Sequence, residues 1–257
     1  MIYDSTFFAN APPAFPGTVG PCIMSDRGSH GVNYRTGPRY TDIDWTKFRA
    51  WCKAIPTGSV VCLDIEGMPG QPESEVTYAV VRALRTSRGL RPDCSFGFYA
   101  GPAGFSAYHS GDIPRLMEPE LTADDKARRS ATQVVFQALY PDWTNTKHLN
   151  NWTPEEKARL ITYRIGAVRC CTRWNVGYTI PKPVYPIITG SLHATAKPTG
   201  EYVGDELVLA QLRVVKAIGR GVVWDGAAWS DGTYAGRADY NTTGKRWAWL
   251  IENEGKA

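Results

Sequence analysis

The chain has 257 residues, 43% hydrophobic and 21% charged, with a formal net charge of +4. That length suits one large globular domain with a full core. The charge is mild and scattered, which argues against nucleic acid as a partner, and no apolar run reaches the roughly 20 residues that cross a bilayer, so no membrane partner is expected.

Short apolar runs alternate with longer amphipathic stretches from end to end. The first strand is read at "STFFANAPP" and a second at "GPCIMSDRG". "DIDWTKFRAWCKAI" opens with a capping Asp and sets Trp45, Phe48, Trp51 and Cys52 at helical spacing. "SVVCLDIEG" is the third strand and ends in two carboxylates, Asp64 and Glu66. Side chains two apart share a face of a strand, so Asp64 and Glu66 are expected to point one way and Leu63 and Ile65 the other. "SEVTYAVVRALRTSRG" reads as a helix closed by Gly89, "CSFGFYAGP" as a strand, and "TADDKARRSA" as a helix capped by Thr122.

The second half repeats the scheme. "QVVFQALYPDW" is a strand, and "TPEEKARLITYRIGAVRCCTRWN" is a helix with Thr153 at its cap and Pro154 at its first position. "PVYPIITG" is a strand interrupted by Pro186, "GDELVLAQLRVVKAIG" a helix, and "RGVVWDG" the last strand. "TTGKRWAWLIENE" ends the chain as a helix whose Trp247 and Trp249 straddle it, one packing inward and the other exposed. Neither a repeat nor a low-complexity linker divides the chain, so residues 1–257 are read as one domain.

Strands alternating with helices imply an α/β fold with a helix-covered parallel sheet. A glycine-rich phosphate loop is missing after the first strand, which disfavours a dinucleotide-binding sheet. Polar or aromatic residues recur instead at the C-terminal ends of strands: Asn10, Asp64 with Glu66, Tyr99, Tyr140 with Asp142, and Trp224 with Asp225. In a β/α barrel that rim carries the active site, so the expectation is a TIM-like barrel of about seven strands, incomplete relative to eight.

The six cysteines show no C-x-x-C spacing and fit buried reduced thiols better than a zinc site or a disulfide framework. The four histidines form no zinc-binding spacing either. Asp142 and Asp225 have two readings: loop-capping acids, or partners of Asp64 and Glu66 in an all-oxygen metal site; the former is preferred, and neither a metal nor a cofactor is expected. The N-terminus lacks the basic region and apolar core of a secretory signal, so synthesis in the cytoplasm is expected, with release by lysis or carriage in a virion.

Paired carboxylates suit glycoside hydrolysis, one holding a proton for the departing oxygen. The plainer reading of Asp64 and Glu66 is a salt bridge to arginine or a capped loop. The two acids are too alike in position to face each other across a bond in an ordinary retaining pair about 5 to 5.5 Å apart. Substrate-assisted hydrolysis escapes that requirement, because the N-acetyl group of the sugar is the nucleophile.

The fragments "FFANAP", "LDIEG", "FGFYAGP", "QALYPDW", "PVYPIITG" and "GRGVVWDG" follow one another across nearly the whole chain. Their order resembles the strand ends of the hyaluronidase family of glycoside hydrolases: an Asn-containing turn, Asp-x-Glu, Gly-Phe-Tyr, Ala-Leu-Tyr/Phe-Pro, Pro-Val-aromatic and a final Gly-Ile-Val-Ile-Trp-Gly. The resemblance implies a seven-stranded barrel and retaining, substrate-assisted cleavage of an N-acetylated polysaccharide. It makes Glu66 the general acid, Asp64 the residue that positions the acetamido group, Tyr99 a phenol at the substrate and Trp224 the wall of the sugar subsite. Tyr140 takes the place of the aromatic before Pro, and Asn10, Asp142 and Asp225 complete the rim. The chain departs from the family after the acid strand, where Gly67 and Met68 replace acidic and aromatic residues. The rival expectation is a virion or surface protein that uses the same barrel to bind glycan or protein without cleaving it.

Overall fold

The computed structural model describes residues 1–5, 22–24, 34–65, 67–68, 70–99, 122–138, 153, 155, 182–188, 205–224 and 245–254. In chain order these form β1 (Ile2–Ser5), β2 (Cys22–Met24), α1 (Trp45–Ala54), β3 (Val60–Leu63), α2 (Glu73–Leu90), β4 (Ser95–Phe98), α3 (Ala123–Ala131), β5 (Val135–Ala138), β6 (Val184–Ile188), α4 (Asp205–Ile218), β7 (Gly221–Trp224) and α5 (Lys245–Glu254). The chain divides into two compact units.

One unit comprises Cys22–Gln137 with Cys170–Val184. Its strands run β2-β3-β4, all parallel, with Cys22 opposite Val60 and Val60 opposite Ser95. Every residue of β3 is buried. Both faces of this strand are covered, which is why "VVCL" is a continuous apolar run rather than an alternating one. Helix α2 packs on β3 and β4 and against α1 and α3. Under α1 lies an aromatic cluster in which Tyr34 meets Phe48 edge-on at 5.0 Å and Trp51 at 5.3 Å. The Asp44 side chain starts α1 by accepting from the backbone N–H groups of Thr46 and Lys47.

The other unit comprises Met1–Pro21, Ala138–Arg169 and Tyr185–Ala257. Here β7 lies between β1 and β6, again all parallel, with Ile2 opposite Gly221 and Ile187 opposite Val222. Helix α4 closes at Gly219, whose φ of +82° places it in the left-handed region that glycine adopts without strain. Its N–H donates to the Val215 carbonyl at 2.8 Å. Helix α5 packs on α4, with Leu250 buried and Trp249 48% exposed; the side chain of Trp247 lies outside the described residues.

Several boundaries differ from expectation. Strand β1 begins at Ile2 rather than Ser5, because its partner β7 defines it. The remainder of the expected first strand lies outside the described residues, as does the helix expected over 153–175 apart from Thr153 and Glu155. Helix α2 runs through Gly89 to Leu90 and is capped at Arg91, whose N–H donates to the Ser87 carbonyl at 2.8 Å. Tertiary contacts along α2 outweigh the weak helix propensity of one glycine. Strand β6 passes through Pro186 uninterrupted, and its pairing with β7 begins at Ile187, after the residue that has no N–H to give. Cys22, Cys52, Cys62 and Cys94 are buried thiols outside any disulfide, and burial pushes the Cys52 thiol up to about 11. Cys170 and Cys171 lie outside the described residues.

Arg91 clips together the N-terminal ends of β3 and β4. It grips Asp93 through two bonds, at 2.9 and 2.6 Å, and also donates to the Ile55 carbonyl. The guanidinium holds the Asp93 carboxyl well below the usual carboxylate range. The folded-state value lies below the unfolded one, so the stabilisation is complete above the unfolded value of 3.8 and is lost as pH falls toward the folded value. Urea titrations at several pH values should therefore show the native chain losing stability relative to Asp93→Asn as pH drops below about 4. Parallel acid profiles would contradict this assignment.

Candidate active site

Strand β3 brings Asp64 to its C-terminal end. Leu63 is the last residue of the strand, and Asp64 follows it with 2% of its surface exposed. The parallel register pairs Leu63 with Phe98, and the Tyr99 N–H donates to the Leu63 carbonyl at 2.9 Å. Asp64 and Tyr99 therefore leave adjacent strands at the same level. One offers a buried carboxyl group, the other a half-buried phenol.

The expected alternation of faces is not visible as alternating burial, since Leu63, Asp64 and Ile65 are all buried. Ile65 joins the apolar cluster that includes Val76, Phe98 and Tyr34. Asp64 is therefore a buried acid flanked in the chain by two buried apolar residues.

An arginine that motif reading passed over also reaches this strand end. Arg35 Nη2 donates to the backbone carbonyl of Asp64 at 3.4 Å, and its guanidinium stacks over the Tyr40 ring with the central carbon 4.0 Å from the centroid. Its sequence signal is modest: "YRTGPRY" carries a Gly-Pro turn between two Tyr-Arg or Arg-Tyr pairs, the mark of a short hairpin. On the other side of position 66, Gly67 packs so close to α2 that a Cβ there would sit 3.0 Å from Val76 Cγ2.

Among the expected site residues, the structure brings Asp64 and Tyr99 side by side. Trp224 ends β7 opposite Ser5, in the other unit. Glu66, Tyr140, Asp142, Asp225 and Asn10 lie outside the described residues. Among the described residues, no three His, Cys, Asp or Glu side chains are grouped so as to hold a metal ion. No described helix is long and apolar enough to cross a membrane.

The fold has solved counterparts. A crystal structure of bee venom hyaluronidase matches over 96% of this chain and 87% of its own, with a TM-score of 0.50 and 12% identity. Bee venom hyaluronidase in complex with a hyaluronic acid tetramer matches over 98% of this chain and 86% of its own, with a TM-score of 0.51 and 14% identity. The fold is hyaluronidase-like. No protein-family model matches the sequence, and no curated protein matches it.

Proposed function

We propose that the chain is one incomplete β/α barrel that cleaves an N-acetylated polysaccharide by a retaining, substrate-assisted mechanism. The observation that carries this reading is the placement of Asp64, buried, beside Tyr99 at the C-terminal ends of adjacent parallel strands. It is supported by the likeness of fold to bee venom hyaluronidase, one structure of which holds a hyaluronic acid tetramer. In this reading Glu66 protonates the departing oxygen, and Asp64 holds the acetamido N–H while the acetamido oxygen attacks the anomeric carbon. Tyr99 donates toward the same group, and Trp224 walls the subsite. Tyr140, Asp142, Asp225 and Asn10 line the rim around the glycan.

The cyclic intermediate is opened by water, with Glu66 taking the proton back, so the product keeps its anomeric configuration. Capsule or cell-wall glycan is the proposed target, with the protein carried in a virion or freed by lysis.

The test is product release from hyaluronan, chondroitin, chitin oligomers and peptidoglycan, with the anomer of the first product read by proton NMR. Release of a retained product, lost when the sugar is de-N-acetylated, is the expected result. An inverted product, or cleavage indifferent to the acetyl group, would overturn the mechanism. Glycan binding without release would favour a non-catalytic virion or surface protein on the same fold.

A further inference from the structure

Residues 34–44 form a hairpin that is tied internally at several points. Arg35 and Ile43 form an antiparallel bridge, and the Asp44 N–H donates to the Tyr34 carbonyl at 2.8 Å. The Asp42 carboxylate accepts from Arg39 Nε at 2.9 Å and from the Arg39 backbone N–H at 3.1 Å. Gly37 sits so close to that carboxylate that a Cβ would lie 2.4 Å from Oδ2. Tyr34 and Ile43 sink the hairpin's base into the core. The unit is compact and anchored, and can therefore serve as a fixed support.

That support bonds to the chain on either side of position 66. Before position 66, Arg35 donates to the Asp64 carbonyl at 3.4 Å. After it, Gln71 Nε2 donates to Thr41 Oγ1 at 2.7 Å. Both ends of the Gln71 amide are engaged: Oε1 accepts from the Met68 N–H at 3.3 Å, and Nε2 also faces Glu75 Oε2 at 3.4 Å. The Gln71 N–H in turn donates to the Met68 carbonyl at 2.9 Å, closing the turn on itself. A glutamate at 71 could still accept from the Thr41 hydroxyl, but it would set a second carboxylate against Glu75 in place of the amide N–H that now faces it. The outer pair of Arg39 with Glu75, at 3.6 Å, joins side chains that are both about half exposed and adds little.

We propose that Gln71 is a positioning residue, anchored on Thr41, that ties the turn at Met68 and Gln71, beside position 66 in the chain, to the 34–44 hairpin. Its consequence for catalysis rests on the function proposed above, since Glu66 stands beside this turn in the chain and must meet the glycosidic oxygen within hydrogen-bond reach. A misplacement of about 1 Å can cost about 100-fold in rate.

Hydrogen–deuterium exchange of the full chain tests the brace directly. In Gln71→Ala and Thr41→Val, amides in 64–72 should exchange at least about tenfold faster, those in 79–90 should be unchanged, and Thr41→Ser should behave as the native chain. Unchanged exchange in 64–72, or equal acceleration across the whole unit, would overturn the proposal. On a cleaved glycan, kcat should fall about tenfold or more with KM within about twofold, and Thr41→Ser should restore it. Faster exchange with kcat unchanged would remove the positioning role. If no glycan is cleaved, the proposed function fails, while exchange still decides the brace.

Discussion

Glu66→Gln should reduce glycan cleavage by about 100- to 10,000-fold, the range that loss of a general acid typically costs. The amide keeps the size of the side chain and removes the proton that the departing oxygen needs. Asp64→Asn should cost at least about 100-fold for a different reason. The buried carboxylate is the group proposed to hold the acetamido N–H, and that interaction strengthens as positive charge develops on the ring. The two variants separate on substrates with good leaving groups. An aryl glycoside leaves without protonation, so the first step, read as the initial burst of aryl alcohol release, should be largely rescued in Glu66→Gln and remain slow in Asp64→Asn. Circular dichroism and the urea midpoint of each variant establish that the fold is intact. Activity retained in both would exclude this pair of acids and with it the proposed mechanism; rescue of both alike would exclude the division of roles.

Gly97→Ala should destabilise the chain by about 3 kcal/mol or more, a large fraction of a domain's stability. Gly97 lies inside β4, buried, opposite Cys62. A Cβ there would stand 2.2 Å from the Val134 carbonyl oxygen and 2.9 Å from two atoms of the Phe136 ring. Backbone cannot retreat as a flexible side chain can, so the added methyl must push β4 from the chain that enters β5. Gly89→Ala is the matched comparison. Gly89 is exposed within α2 and a Cβ there meets nothing within 4 Å. That change should instead gain about 0.5–1 kcal/mol from helix propensity. Urea denaturation of both variants reads the contrast, and a neutral Gly97→Ala would refute the close approach at β4.

The two glycines show how differently sequence and structure speak. Gly89, after a long amphipathic run, looks like a helix terminator, and Gly97, between two phenylalanines, looks like an ordinary strand residue. In the fold Gly89 is incidental and Gly97 is required. Composition is identical at the two positions; the neighbours differ, and those neighbours are far away in the chain.

Order and type of element were legible in the sequence for the described residues, because apolar runs and helical spacing report local faces directly. "VVCL", "SFGF" and "VYPII" are strands, and Trp45–Ala54 and Asp205–Ile218 are helices. The acids after β3 also stood out, as charged residues closing a buried run. Tertiary structure alone decided that Tyr99 stands level with Asp64, that Asp64 is buried, and that the 34–44 hairpin reaches the same place. Each depends on register or on contacts between residues some 30 positions apart, such as Arg35 with Asp64 and Thr41 with Gln71. Periodicity carries no information about such pairs, because it describes which face a residue shows and not what the folded chain brings to meet it.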